Sequence, residues 1–214
     1  NDTSIVAYID SSGLLTDAQI EFVEDLFLTK YSDGLNNWPI DLGAPFYDQN
    51  NNGIYELTDG DAPGFAGADE ILWYVTNDAD VATTASLYGT DPIGLEMQVT
   101  VFGYDDPVLS GGQSSLGQSV FKRLRMINKG EKNLTEAYIS IWSDPDIGDY
   151  TNDFVGVDTS QNLMFGYNGV VTDENYSDYG LAPAAVGYKM IHGPVRPSVG
   201  DTAIVGLKKV PDYK

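Results

Sequence analysis

Short apolar segments, each closed by Gly, Asp, Asn or Pro, recur along almost the whole chain. They are Ile5–Ile9, Ile71–Thr76, Leu95–Tyr104, Val120–Ile127, Ala137–Trp142, Phe154–Val157, Leu163–Tyr167, Val186–Ile191 and Thr202–Leu207. Their β-branched and aromatic content and their period-two alternation are strand signals. In Ala137–Trp142, for example, Ala137, Ile139 and Ile141 fall on one face, and Tyr138, Ser140 and Trp142 on the other. One helix stands against these strands. Thr16 and Gln19 form a capping box, Asp17 lies in the first turn, and Ile20, Val23, Phe27 and Lys30 follow at helical spacing, which predicts a helix over 17–30. So many strands with one helix exclude an alternating β-α chain. They predict an antiparallel β-sandwich with one N-terminal helix and long Asp/Gly-rich loops. No fixed-period repeat or low-complexity linker interrupts residues 1–214, so a single module is expected.

One loop carries the sharpest chemical signal. Residues 48–59 read Asp-Gln-Asn-Asn-Asn-Gly-Ile-Tyr-Glu-Leu-Thr-Asp. A hard cation such as Ca²⁺ takes six to eight oxygens, and a chain supplies them by offering alternate side chains, turning at a glycine, then adding a carbonyl and a late carboxylate. The expected ligands are Asp48, Asn50, Asn52, the carbonyl of Ile54, Glu56 and Asp59, with Asp61 as an alternative closing acid. The pattern is that of a dockerin or EF-hand loop, but Gly60-Asp61-Ala62-Pro63-Gly64 cannot continue as a helix. The competing reading is an Asn/Gly-rich turn that binds nothing.

Charge narrows the partners. The net charge is −21, from 32 acids against 11 bases, which disfavours nucleic acid and anionic membranes. Asp outnumbers Glu by 24 to 8, a bias suited to turns and calcium loops, although a solubilising acidic surface explains much of the charge equally well. There are no cysteines, so disulfides and thiolate chemistry are excluded. No apolar run approaches the roughly 18 residues that span a bilayer.

A second acidic cluster, Asp144, Asp146, Asp149 and Asp153, lies between two expected strands and is either a second metal loop or a solvated turn. A glycosidase acid pair drawn from the same four residues is a further alternative. Trp38, Trp73 and Trp142 are candidates for stacking against a ligand, or else core and rim aromatics. Five bases cluster in one stretch, Lys122, Arg123, Arg125, Lys129 and Lys132, giving either a docking patch for an acidic partner or a charged outer face that guards an edge. No catalytic residue is assigned. His192 is the lone histidine, and nucleophile-elbow, Walker, zincin and dinucleotide motifs are missing from the sequence.

A series of motifs resembles one family. In order they are Trp38-Pro39, Gly43-Ala44-Pro45, the loop 48–56, Trp73-Tyr74-Val75 with Asn77-Asp78, Gly94-Leu95-Glu96, and Trp142-Ser143-Asp144-Pro145-Asp146-Ile147-Gly148-Asp149. Asp153-Phe154-Val155-Gly156, Ala185-Val186-Gly187-Tyr188, Gly193-Pro194 and Gly200-Asp201-Thr202-Ala203 complete it. The chain resembles large secreted bacterial proteins of the type IX secretion kind, many of which carry a C-terminal sorting domain. The resemblance implies an extracellular or cell-surface location and membership of a longer parent chain, not a reaction. The expected function is a secreted, calcium-binding structural or adhesive module. Alternatives are a carbohydrate-binding or glycoside-hydrolase-associated module, and a self-associating subunit of a surface filament or layer.

Overall fold

The computed structural model describes residues 16–105, 115–135, 137–205 and 208–214. The chain divides into two compact units, Asn1–Thr135 and Glu136–Lys214. Taken together the described residues are mainly β, and every strand pairing among them is antiparallel, as the strand density and turn punctuation predict. The segment Ile5–Ile9 lies outside the described residues.

The first unit opens with helix α1, Asp17–Asn36. Its capping box is formed as the sequence predicts. Gln19 N–H donates to Thr16 Oγ1 at 3.4 Å, and Thr16 N–H donates to Gln19 Oε1 at 2.8 Å. The helix outruns the predicted end at residue 30. Its last carbonyls find donors: Asn36 and Asn37 amides bond Ser32 O and Asp33 O, and the Tyr55 hydroxyl bonds Leu35 O at 2.8 Å.

Next comes the short hairpin β1 (Phe46–Tyr47) and β2 (Ala62–Pro63), whose register Phe46↔Pro63 and Tyr47↔Ala62 closes the base of the loop 48–61. The main sheet has the order β3 (Glu70–Asn77), β4 (Leu95–Gly103), β5 (Val120–Asn128). Between β3 and β4 lies α2, Val81–Tyr88, where Asp80 Oδ1 accepts the Thr83 N–H at 2.7 Å as an N-cap. Strand β4 is central and holds Val99, which is fully buried. Phe102 stacks on Phe121 with centroids 5.3 Å apart and meets Phe65 edge-on at 4.8 Å.

The second unit contains a sheet of order β6 (Asp153–Asp158), β7 (Leu163–Asn168), β8 (Ala185–Lys189), with the short helix α3, Glu174–Ser177, between β7 and β8. A hairpin of β9 (Pro197–Val205) and β10 (Lys208–Tyr213) follows. Gly156 is forced by packing, since a Cβ there would lie 2.4 Å from the Phe165 ring.

The expected strand at Ala137–Trp142 does not form. The segment joins no ladder, and Tyr138 and Trp142 are 95% and 83% exposed. Alternation describes a residue's two faces. A strand also needs a neighbour to take its backbone groups.

Candidate metal loops

The loop 48–61 is wound by its own side chains. Asp48 lies at its start and accepts the Asn52 N–H at 3.1 Å on Oδ1 and the Gly53 N–H at 2.7 Å on Oδ2. Asn50 Oδ1 accepts the Asn52 N–H at 3.0 Å, and Asn52 Oδ1 accepts the Ile54 N–H at 2.7 Å, two successive Asx turns. Asn51 and Gly53 take φ of +59° and +78°, the left-handed region that Asn and Gly tolerate. The remaining polar groups face each other across the coil. Asn50 Nδ2 donates to Asp59 Oδ2 at 3.0 Å, and Asn52 Nδ2 donates to Glu56 Oε2 at 3.3 Å.

The two closing acids have different positions. Asp59 ends a 3-10 turn, Leu57–Asp59, at the surface. Asp61 is buried, 4% exposed, and ties the loop's two arms together: Oδ1 accepts the Gln49 N–H at 2.9 Å and Oδ2 the Glu56 N–H at 2.8 Å. Asp61 is thus a brace beneath the coil, while Asp48, Asn50, Asn52, Glu56 and Asp59 line it.

The four acids of the second cluster are not gathered. Asp144 and Asp146 are exposed. Asp149 turns back on Thr151, accepting its N–H at 3.0 Å and its hydroxyl at 2.7 Å, and these bonds hold its carboxyl below the ordinary carboxylate range. Asp153 Oδ2 accepts the Ile147 N–H at 2.8 Å. The organising acid is one that sequence reading missed. Asp173, 3% exposed, accepts the Asp149 N–H, the Asn168 amide and the Asn175 N–H, each at 2.8 Å. It packs so tightly under Gly148, at φ +77°, that a Cβ there would come within 2.5 Å of its Oδ2. The Asn152 and Asp153 Oδ1 atoms are buried without a hydrogen-bond donor. A hint lay in Thr172-Asp173-Glu174, since Asp before a helical turn is a favoured cap, and Asp173 does cap α3.

Among the described residues, no group of three or more His, Cys, Asp or Glu stands together to hold a metal. In the first loop the candidate set includes two neutral Asn and a carbonyl, so carboxylates alone do not define it.

The three tryptophans have separate roles. The Trp38 indole N–H donates to Pro45 O at 2.8 Å and fixes that turn. Trp73 lines a cleft of the first unit, and Trp142 stands exposed. His192 is exposed, with its ring Nδ1 2.9 Å from Gly193 O. No helix among the described residues is long and apolar enough to cross a membrane.

Fold and loops together define an antiparallel, mainly β protein whose long connections are wound around Asp and Asn side chains. Comparison with family models, curated proteins and solved structures finds no match to this chain.

Proposed function

We propose that the chain is a calcium-binding structural module of a larger extracellular or cell-surface protein, with the ion held by the loop 48–61. The observation that carries this reading is the coil itself. Alternate oxygen-bearing side chains, Asp48, Asn50 and Asn52, bend over their own backbone and meet Glu56 and Asp59 from the other arm. The Asn50 and Asn52 amide nitrogens that meet Asp59 and Glu56 hold the expected ligand residues beside one another, and an ion would take the place of those N–H donors. Two neutral Asn ligands lower the charge of the set and suit the modest affinity useful where calcium is abundant. The second loop supports the reading more weakly, through the donorless oxygens of Asn152 and Asp153. A structural or adhesive role fits the many apolar side chains left at the surface, among them Val120 and Val199 at 78% and 96% exposure.

Isothermal titration of chelator-stripped protein tests the assignment. Calcium binding is expected in the parent, with one site lost in Asp48→Ala. Equal stoichiometry and affinity in both proteins would refute it.

A further inference from the structure

The first unit also contains a cleft of about 180 Å³ that shares no residue with the metal loops. The sheet register builds it. Trp73 pairs with Thr100 and Thr100 with Arg123, while on the next row of the same face Val75 pairs with Gln98 and Gln98 with Arg125. The turn at Gly43 and Pro45 forms its rim.

In a chain with 32 acids, neither arginine has a carboxylate partner among the described residues. Each is held by a neutral group. The Arg123 guanidinium lies over the Phe65 ring, 5.4 Å from its centroid, and Arg125 Nη1 donates to Gln98 Oε1 at 3.2 Å. Gln98, 6% exposed, is itself oriented, because its Nε2 donates to Leu42 O at 3.0 Å and to Glu96 Oε1 at 3.1 Å. Its oxygen must therefore face Arg125. Gly43 makes this approach feasible: its φ is +100°, and a Cβ would lie 2.9 Å from Gln98 Oε1. Thr100 is 4% exposed, lines the cleft, and its hydroxyl has no hydrogen-bond partner among the described residues. Most guanidinium N–H groups and this hydroxyl thus remain for a ligand.

We propose that the cleft binds a uronate, a carboxylated sugar residue of an acidic polysaccharide. The guanidiniums match a planar carboxylate, the indole matches the C–H face of a pyranose ring, and Thr100 matches a ring hydroxyl. The space suits one residue of that size. An acidic peptide side chain would use the arginines and leave the indole and the hydroxyl idle.

The test is titration of the full chain, in calcium-containing buffer, with a short oligogalacturonate, with its methyl ester and with an oligoglutamate of equal charge. Saturable binding of the oligogalacturonate is expected, with the ester and the oligoglutamate each weaker by roughly tenfold or more, the worth of one charge-assisted contact. Arg123→Ala/Arg125→Ala should lose binding to a similar degree. So should Arg123→Gln/Arg125→Gln, a second variant in case the first fails to fold. Both arginines are exposed, so circular dichroism should be unchanged. No binding of oligogalacturonate, equal binding of ester or oligoglutamate, or full binding by a folded double variant would each overturn the proposal. Calcium bridging between acids would survive both arginine variants, so it is distinguished from the cleft.

Discussion

Single carboxylates organise the backbone of this protein. Asp78 is one case: its oxygens accept N–H groups from Ile93 at 2.6 Å, Gly94 at 3.2 Å and Leu95 at 2.8 Å. Burial pushes its carboxyl up, but those three donors outweigh it and leave the group below its ordinary value. Asp173 is a second: the Asp149 N–H, working against burial and helped by Asn168 and Asn175, lowers its carboxyl too. A lowered folded pKa means the unfolded chain binds the proton more tightly. The resulting stability is therefore complete above the ordinary Asp value of about 3.9 and is lost as pH falls through the folded value. Midpoints of denaturation between neutral pH and about pH 3 should show an acid limb that is shallower in Asp173→Asn than in the parent. An unchanged limb would mean that Asp173 is not a coupled group. The role of Asp173 was only partly visible in the sequence: its cap on Asn175 is local, but the fold brings the donors from 149 and 168 to it. The loop at 48–59 was legible because its partners are local.

At the scale of elements, β4 holds the one run of three buried residues among the described residues, Gln98, Val99 and Thr100. Val99 at the centre of β4 is fully buried, whereas Val199 in β9 is 96% exposed. Val99→Ala removes two buried carbons and leaves a void, so urea denaturation should show a loss of about 2 kcal/mol with an unchanged slope. Val199→Ala should stay within about 0.5 kcal/mol. Equal losses at the two sites would contradict this distribution of the core. The sheet strands β3 to β8 were readable because their alternation coincides with a real ladder. Helix α2 was not. Its sequence Val-Ala-Thr-Thr-Ala-Ser-Leu-Tyr is rich in β-branched residues, and its cap at Asp80 and the bond from Thr84 Oγ1 to Asp78 O at 3.0 Å override that preference. Ala137–Trp142 failed in the opposite sense, with pattern but no partner.

For the whole molecule, charge and accessibility set the behaviour. If calcium binds the native loop alone, a hundredfold excess over Kd adds about 2.7 kcal/mol. By the scaling for a chain of this length, the melting temperature should then rise by roughly 5–11 °C between chelator and calcium. Sodium chloride should recover only part of this, since screening relieves repulsion at charge −21 without supplying a ligand for the coil. Identical midpoints in chelator and calcium would leave the acidic loops as solvated turns. Brief chymotrypsin treatment should cut first at Tyr138 or Trp142, exposed aromatics on backbone that joins no ladder, and yield two fragments meeting there. A first cut within β4 would be the wrong outcome.

The clasp at Asp78 has an engineering consequence. One carboxylate holds residues 93–95, so everything between is a stem-closed excursion whose helix leaves Val81, Leu87 and Tyr88 at 59%, 67% and 73% exposure. Once the stem is fixed, lengthening the excursion is cheap: doubling it costs only about 0.6 kcal/mol of closure entropy. The stretch near Gly89 and Thr90 is thus a permissive graft point, where a peptide tag should be displayed without disturbing the sheet. Moving the graft to Gly94 should abolish folding, because a Cβ there already meets Gly130 at 2.6 Å.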